Sequence, residues 1–484
     1  MPFMRILVGL FIGLLGPFAP AHAERNEVQV HPFPNPIRYT HHNDDFTVRV
    51  RVPGGGWKDL YEYKVKVDLD NPSDASMVHF NFDGTVELAI QKNNGMFSKV
   101  AVRPESKGLK PVVKDGIAYV TLQRPENLSI EFDDDRRHNL HVFSHAIRRD
   151  MPVTAEQSSN DIAAGQTPDL SQKTVFFGPG VHSGEFRLRS GSTVYIHGSA
   201  ILKNPLILDG VENVKVVSDG LFDSVEMTTI RNARHIEIDG PIFINQPHGT
   251  LRCVNSQDLT ERNIRTIGAG KWSDGLGHFA CERVTITDSF IRTSDDCLTF
   301  YNHRWDIWGD TRDVDVSRTT LWADIAHAVM IGIHGNTPSP AHPKAEVLER
   351  LRFSNLDILD HDEDDPEYEG ALGIMAGDDN VVRDVIFENI RVERIEEGKL
   401  FSLKIAYTAK YNTSPGQSVE NITLRNIHYS GKGSPSASLI AGRNAERKVR
   451  NVVIDNVTVG GKKLTRPEMG TLEITEFVEG VQFR

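Results

Sequence analysis

The sequence predicts an all-β chain, a right-handed parallel β-helix preceded by an N-terminal β-sandwich, on three observations. Short apolar triplets recur through the later part of the chain at intervals suited to stacked coils. Asparagines return beside those triplets. Ahead of them lie short alternating runs broken by glycines, and no long 3.6-residue period appears anywhere.

Taken in order, residues 1–23 place Arg5 before an apolar run from Ile6 to Leu15 and close on Ala21-His22-Ala23. That is the layout of a secretory signal cleaved before Glu24, too short and too interrupted by Gly and Pro to anchor in a bilayer. A secreted or periplasmic protein is expected. Residues 24–150 carry Phe46 to Val52 and Tyr61 to Val67, which alternate cleanly, then Val86 to Ile90 and Ile117 to Leu122. With Gly54-Gly55-Gly56 and Asp83-Gly84 as turns, these strands predict an antiparallel sandwich. The polar segment from Arg149 to Ser171 reads as the connection to a β-helix domain over residues 151–484.

In that domain the triplets are Val214-Lys215-Val216, Ile236-Glu237-Ile238, Val284-Thr285-Ile286, Val314-Asp315-Val316, Leu351-Arg352-Phe353, Val385-Ile386-Phe387, Ile422-Thr423-Leu424 and Val452-Val453-Ile454. Each turns its outer two residues to one face, as a rung of a β-helix core requires. Asn213, Asn355, Asn389, Asn421, Asn426, Asn451 and Asn456 stand next to them. Asparagine tolerates the left-handed backbone of a coil corner, and its amides can hydrogen-bond in a stack along the axis. A propeller would show more even blades.

A net charge of -12 argues against a nucleic-acid partner, which needs a basic face. It leaves room for an acidic sugar bound by a local basic cluster. No stretch after the first is apolar for long enough to cross a membrane, so no membrane partner is expected. The cysteines, Cys253, Cys281 and Cys297, are odd in number and clustered, which suggests buried thiols or at most one bridge. Their spacing does not suit a metal, and no metal or other cofactor is expected. Oligomeric state leaves no mark on the sequence.

The stretch from Trp272 to Phe300 carries the chemistry. Asp274 precedes the Val284-Thr285-Ile286 strand and Asp295 and Asp296 follow it. One circuit of a coil between Asp274 and Asp295 would set their carboxyls on neighbouring rungs, about 4.8 Å apart. Such crowding makes one keep its proton while its neighbours lose theirs. An acid beside a carboxylate that can polarise water is the pair that cleaves glycosidic bonds. Adjacent residues of a regular strand face opposite ways, so Asp295 and Asp296 share a cleft only if the strand bulges or ends there.

Ser273-Asp274-Gly275 followed by Asp295-Asp296-Cys297 resembles the Asn-Thr-Asp-Gly and Asp-Asp-Cys motifs of the polygalacturonases, glycoside hydrolase family 28. The sandwich before the β-helix and the tail from Asn456 to Thr465 are similar to the dextranases and isopullulanases of family 49, in the same clan. The resemblance implies hydrolysis of an α-glycosidic bond with inversion. Asp295 would be the general acid, and Asp274 and Asp296 would hold and deprotonate water, with acid and base roughly 6.5 to 9.5 Å apart. Trp322 to Ala328 falls where family 28 has Gly-His-Gly, which implies that His327 orients the acid; both glycines are alanines here, and an insertion with Trp305 and Trp308 precedes. His334 competes for that role. Ser402-Leu403-Lys404 falls where family 28 has Arg-Ile-Lys, so Lys404 is kept to grip a substrate oxygen or carboxylate while the bidentate arginine is lost. Pectin-type galacturonan is the expected polysaccharide substrate, with an α-glucan such as dextran as the alternative.

Trp272, Tyr301, Trp305, Trp308, Trp322 and Tyr407 offer rings on which sugars could stack, with Trp272 and Tyr301 joining Lys404 and His334 as the expected substrate-binding set. The acidic run from His361 to Asp365 reads as a solvated loop, since the spacing of a calcium loop is absent. Gly377-Asp378-Asp379 imitates the aspartate pair without a partner one coil earlier, and reads as a corner turn. Two rival functions use the same fold: a polysaccharide lyase, with calcium and a basic residue, and a non-catalytic carbohydrate-binding β-helix.

Overall fold

The computed structural model describes residues 26–34, 40–151 and 168–484. The secretory signal expected over residues 1–23 and most of the polar connection lie outside them. Among the described residues the structure is built of strands, with a single 3-10 turn at Glu105–Lys107.

The alternating runs of the first part fold into two sheets. Phe46–Arg51, Val86–Lys92 and Ile117–Leu122 form the centre of a five-stranded antiparallel sheet. Ser73–Asp83, Leu140–His145 and Asn127–Phe132 form the centre of a six-stranded one, whose Leu140–His145 strand runs parallel to Ser73–Asp83. The period of two sends Val48, Val50, Leu88 and Ile90 from one sheet against Val78, Phe80, Phe82 and Ile130 from the other, which makes the sandwich core.

From Thr174 onward the chain winds into the right-handed parallel β-helix. Eleven coils each add a strand to one sheet, from Phe186–Arg187 through Leu276–Phe279, Leu298–Tyr301 and Val329–Gly332 to Leu472–Ile474. The triplets line up on a second face, Val214 with Ile236, then Leu259, Val284, Val314, Leu351, Val385, Ile422 and Val452. The coil of Leu259-Thr260-Glu261 escapes the apolar pattern because Glu261 takes the inward place. There its carboxylate is buried and faces His278 at 3.2 Å, within the otherwise apolar stack. All seven asparagines singled out in the sequence have φ between 50° and 58°. Asn456 donates to Asn426 (2.8 Å), Asn426 to Asn389 (3.1 Å) and Asn451 to Asn421 (3.0 Å), so the amides do stack along the axis.

Sandwich and helix are packed face to face. Tyr63, Val65, Met77 and Phe143 of the six-stranded sheet meet Ile242, Ile267, Phe290 and Trp322 of the helix. Around this apolar contact lie buried ion pairs. Arg292 grips Asp324 through two nitrogens at 2.9 Å and stacks on Trp322 at 3.8 Å, while its third nitrogen donates to Asn139 at 3.0 Å. Arg103 bridges Glu131 (3.0 Å) and Glu393 (2.6 Å), and Arg148 bridges Asp219 (2.8 Å) and Asp239 (3.2 Å). Trp322, expected among the sugar-stacking rings, is therefore an interface residue, 1% exposed.

Candidate active site

Strand pairing brings the three aspartates together. Gly275 N donates to the Asp296 carbonyl (2.9 Å) and Cys297 N to the His327 carbonyl (2.8 Å), just ahead of the paired strands at Leu276, Leu298 and Val329. Asp274, Asp296 and His327 thus stack across three successive coils. Gly275 permits the approach, because a Cβ there would meet the Cys297 carbonyl oxygen at 2.2 Å. Asp295 joins them because the strand Phe290–Thr293 has ended; it sits in the turn before Leu298–Tyr301, free of strand alternation. Oxygens of Asp274, Asp295 and Asp296 lie within 4.8 Å of one another. Among the described residues this is also the place where three possible metal-ligating groups converge.

The three carboxyls have unequal surroundings. Asp296 is 2% exposed and saturated with donors: His327 N (3.0 Å) and Nδ1 (2.7 Å) reach one oxygen, and the hydroxyls of Tyr301 (3.2 Å) and Tyr368 (3.3 Å) the other. Asp295 is half-buried, and accepts the backbone N–H of Asp296 at 2.9 Å. Burial, then the charge of Asp296, push its pKa up to about 7. Burial also raises Asp274 well above the usual carboxylate range, with Asp295 and Asp296 adding to the shift and the guanidinium groups of Arg252 and Arg304 working against it. Burial opposes the imidazolium of His327, but Asp296 and behind it Glu363 outweigh that and hold its pKa above the ordinary value.

The sequence assignments meet this geometry differently. His327 binds Asp296 rather than orienting Asp295, on which it acts only through its charge. His334 does not reach the carboxyls; it packs edge-on against Tyr301 with ring centroids 5.0 Å apart, and burial pushes its pKa down to about 3. Tyr301, expected as a sugar platform, is 5% exposed and spends its hydroxyl on Asp296. Trp272 is 59% exposed, with the Lys271 ammonium 4.3 Å over its ring. Lys404 lies in the same outward row as Phe279, Tyr301 and Met375, and donates to the Glu367 carbonyl. Burial lowers its pKa to about 8. Trp308 is clamped between His303 and His342, each ring 3.5 Å away, so its faces are taken.

The run from His361 to Asp365 is not a solvated loop but a wall of the site. His361 and Glu363 are buried, Asp365 pairs with Lys410 (3.1 Å), and the chain beyond brings Tyr368 to Asp296. Gly377-Asp378-Asp379 is a corner: both aspartates have positive φ, and Asp378 accepts from Thr413 N (2.6 Å) and Ser414 N (3.0 Å). Cys253 and Cys281 form a disulfide and Cys297 is a buried thiol. Sequence reasoning missed Tyr368, Glu363, Arg252 and Arg304; only the insertion before His327 hinted at the last.

A sandwich packed on a right-handed parallel β-helix, with acids gathered at one coil edge, defines the structural class. No family model matches the chain, and no curated relative does. Among solved structures, Dex49A from Penicillium minioluteum matches with a TM-score of 0.56 at 13% identity, over 92% of this chain and 94% of that one. The family 28 exopolygalacturonase of Yersinia enterocolitica matches with a TM-score of 0.50 at 11% identity, over 88% of this chain and 96% of that one. At such identities the likeness establishes the fold.

Proposed function

We propose that this protein is an exported glycoside hydrolase that cleaves a polysaccharide, with pectin-type galacturonan as substrate and an α-glucan as the second reading. The observation that carries it is the convergence of three unequal carboxyls, one buried and ringed by four hydrogen-bond donors, two half-buried and raised. Asp295, which keeps its proton to about pH 7, donates it to the departing sugar oxygen. Asp274 and Asp296 hold the attacking water, and Asp274, whose ionised form Arg252 and Arg304 favour against burial, takes its proton. The fold of an exopolygalacturonase supports the reading, as do the motifs around Asp274 and Asp295.

The spacing within 4.8 Å is shorter than the roughly 6.5 to 9.5 Å of sites where water stands between acid and base. Inversion requires the water held by Asp274 and Asp296 to attack the face of the anomeric carbon opposite the oxygen that Asp295 protonates, whereas the short spacing taken alone points to retention. Proton NMR of the first product from polygalacturonate or dextran tests this: the inverted anomer is expected, and the retained anomer would make Asp274 a nucleophile. A substrate with an activated aryl leaving group separates the roles, since Asp295→Asn should keep turnover on it while Asp274→Asn should not; the opposite pattern exchanges acid and base. An unsaturated, ultraviolet-absorbing product would instead establish a lyase, and binding without turnover a carbohydrate-binding protein. Export is tested by the N-terminus of the secreted chain, expected at Glu24.

A further inference from the structure

We infer that Arg252, Arg304 and the Trp305 ring between them form a subsite that reads an acidic group of the substrate, replacing the arginine lost at Ser402. The inference rests on the hydrolase reading above and concerns the side of the aspartates facing the earlier coils. Trp305 is 57% exposed, with the Arg252 guanidinium 4.8 Å from its centroid and that of Arg304 4.6 Å away. Neither guanidinium pairs with a carboxylate among the described residues, although arginines elsewhere in the protein are paired repeatedly. Two like charges on one indole repel each other, and the crowded Asp274 carboxyl answers them only in part.

The arrangement is built in advance. Arg304 and Trp305 ride on the insertion, which Glu346 ties down by accepting His303 N (2.8 Å) and Gly309 N (2.6 Å) while Trp308 is clamped between its two histidines. Arg252 stands in register with Gly277, which adds no side chain beside it on the next coil. The path to the acids is short: Arg304 lies 5.9 Å from the Tyr301 ring, whose hydroxyl reaches Asp296. On the opposite side Lys404 is a single ammonium already engaged with a backbone carbonyl. A neutral sugar would leave the guanidiniums with only the crowded Asp274 carboxyl to answer them, whereas a carboxylate or sulfate beside Trp305 can take charge-assisted hydrogen bonds from each.

The test compares the parent protein with Arg252→Met/Arg304→Met, after thermal melts confirm that both fold. On polygalacturonate the double variant should lose about ten- to a hundred-fold more in kcat/KM than on the fully methyl-esterified polymer or dextran, with the excess in KM, because the charge removed from beside Asp274 is lost to all three substrates alike. Equal losses on acidic and neutral substrates, or no loss on the acidic one, overturn the inference. Calorimetry in the Asp295→Asn background keeps the two readings apart. If the parent hydrolyses nothing yet galacturonate oligosaccharides bind and the double substitution abolishes that binding, the hydrolase reading falls and the subsite stands. Tighter binding of a sulfated oligosaccharide, lost in the same variant, assigns the anion as a sulfate ester. Failure of both acidic ligands to bind removes the subsite.

Discussion

The interface between sandwich and helix and the outer face around Asp274 both gather many charges, but they treat them oppositely. At the interface Arg103, Arg148 and Arg292 each meet carboxylates within hydrogen-bonding distance. Around the candidate site, acids crowd acids, and among the described residues Arg252 and Arg304 share an indole with no carboxylate within ion-pair distance. Pairing of this kind removes most of the driving force for those buried charges to bind anything else, so Arg103, Arg148 and Arg292 serve to hold the structure together. Incomplete pairing leaves free energy that a substrate can release. Function is to be sought where the protein has left its charges unsatisfied.

The widest separation between the regions should come from Asp295→Asn. It should cut turnover of the natural polymer about a hundred- to ten-thousand-fold, as loss of a general acid does, with an equal or higher melting temperature because one crowded charge is gone. An active Asp295→Asn enzyme would show that the acid lies elsewhere. Arg292→Met should do the reverse. Leaving Asp324 buried without its cation should remove about 3 to 5 kcal/mol of stability in denaturant melts, with kcat of the folded fraction unchanged. Were stability to hold, the interface ion pairs would be ornamental.

pH sharpens the contrast. A raised acid must hold its proton to work, so kcat/KM should fall as pH rises through about 7, the value to which Asp295 is shifted. At the interface the sign is opposite. Burial alone would raise Asp239, but Arg148 outweighs it and draws its pKa down to about 2. The stability this contributes is present above the ordinary carboxylate pKa and is lost as pH falls from about 4 to about 2. Melts that weaken near neutrality without an acid-side loss would reverse the assignment. The smallest effect is expected away from both regions, at Asn426→Ala, which breaks two rungs of the amide stack and puts alanine at a φ of 50°. A loss of about 1 to 2 kcal/mol is expected in the same melts.

Much of this was legible in the chain itself. The triplets are strands of one face, and the corner asparagines are left-handed as their chemistry requires. The turn between Thr293 and Leu298 is the strand ending that Asp295 and Asp296 need to share a site. The illegible parts have a common cause. Glu261 hid a coil because a carboxylate inside an apolar stack breaks the period, and its partner His278 arrives from the next coil. Glu363 read as part of a solvated loop and Tyr368 drew no reading at all, because nothing local ties either to Asp296. Trp322 looked like a sugar platform because a ring's sequence neighbours do not say which surface will cover it.

The sequence by itself determined what repeats: side chains alternate with a period of two, so each coil declares its own inward face, and asparagine declares its corner. Only the tertiary structure decided which charges would find partners. Winding places residues from different coils within a few ångströms, and the energy of a charge depends on that neighbourhood rather than on its place in the chain.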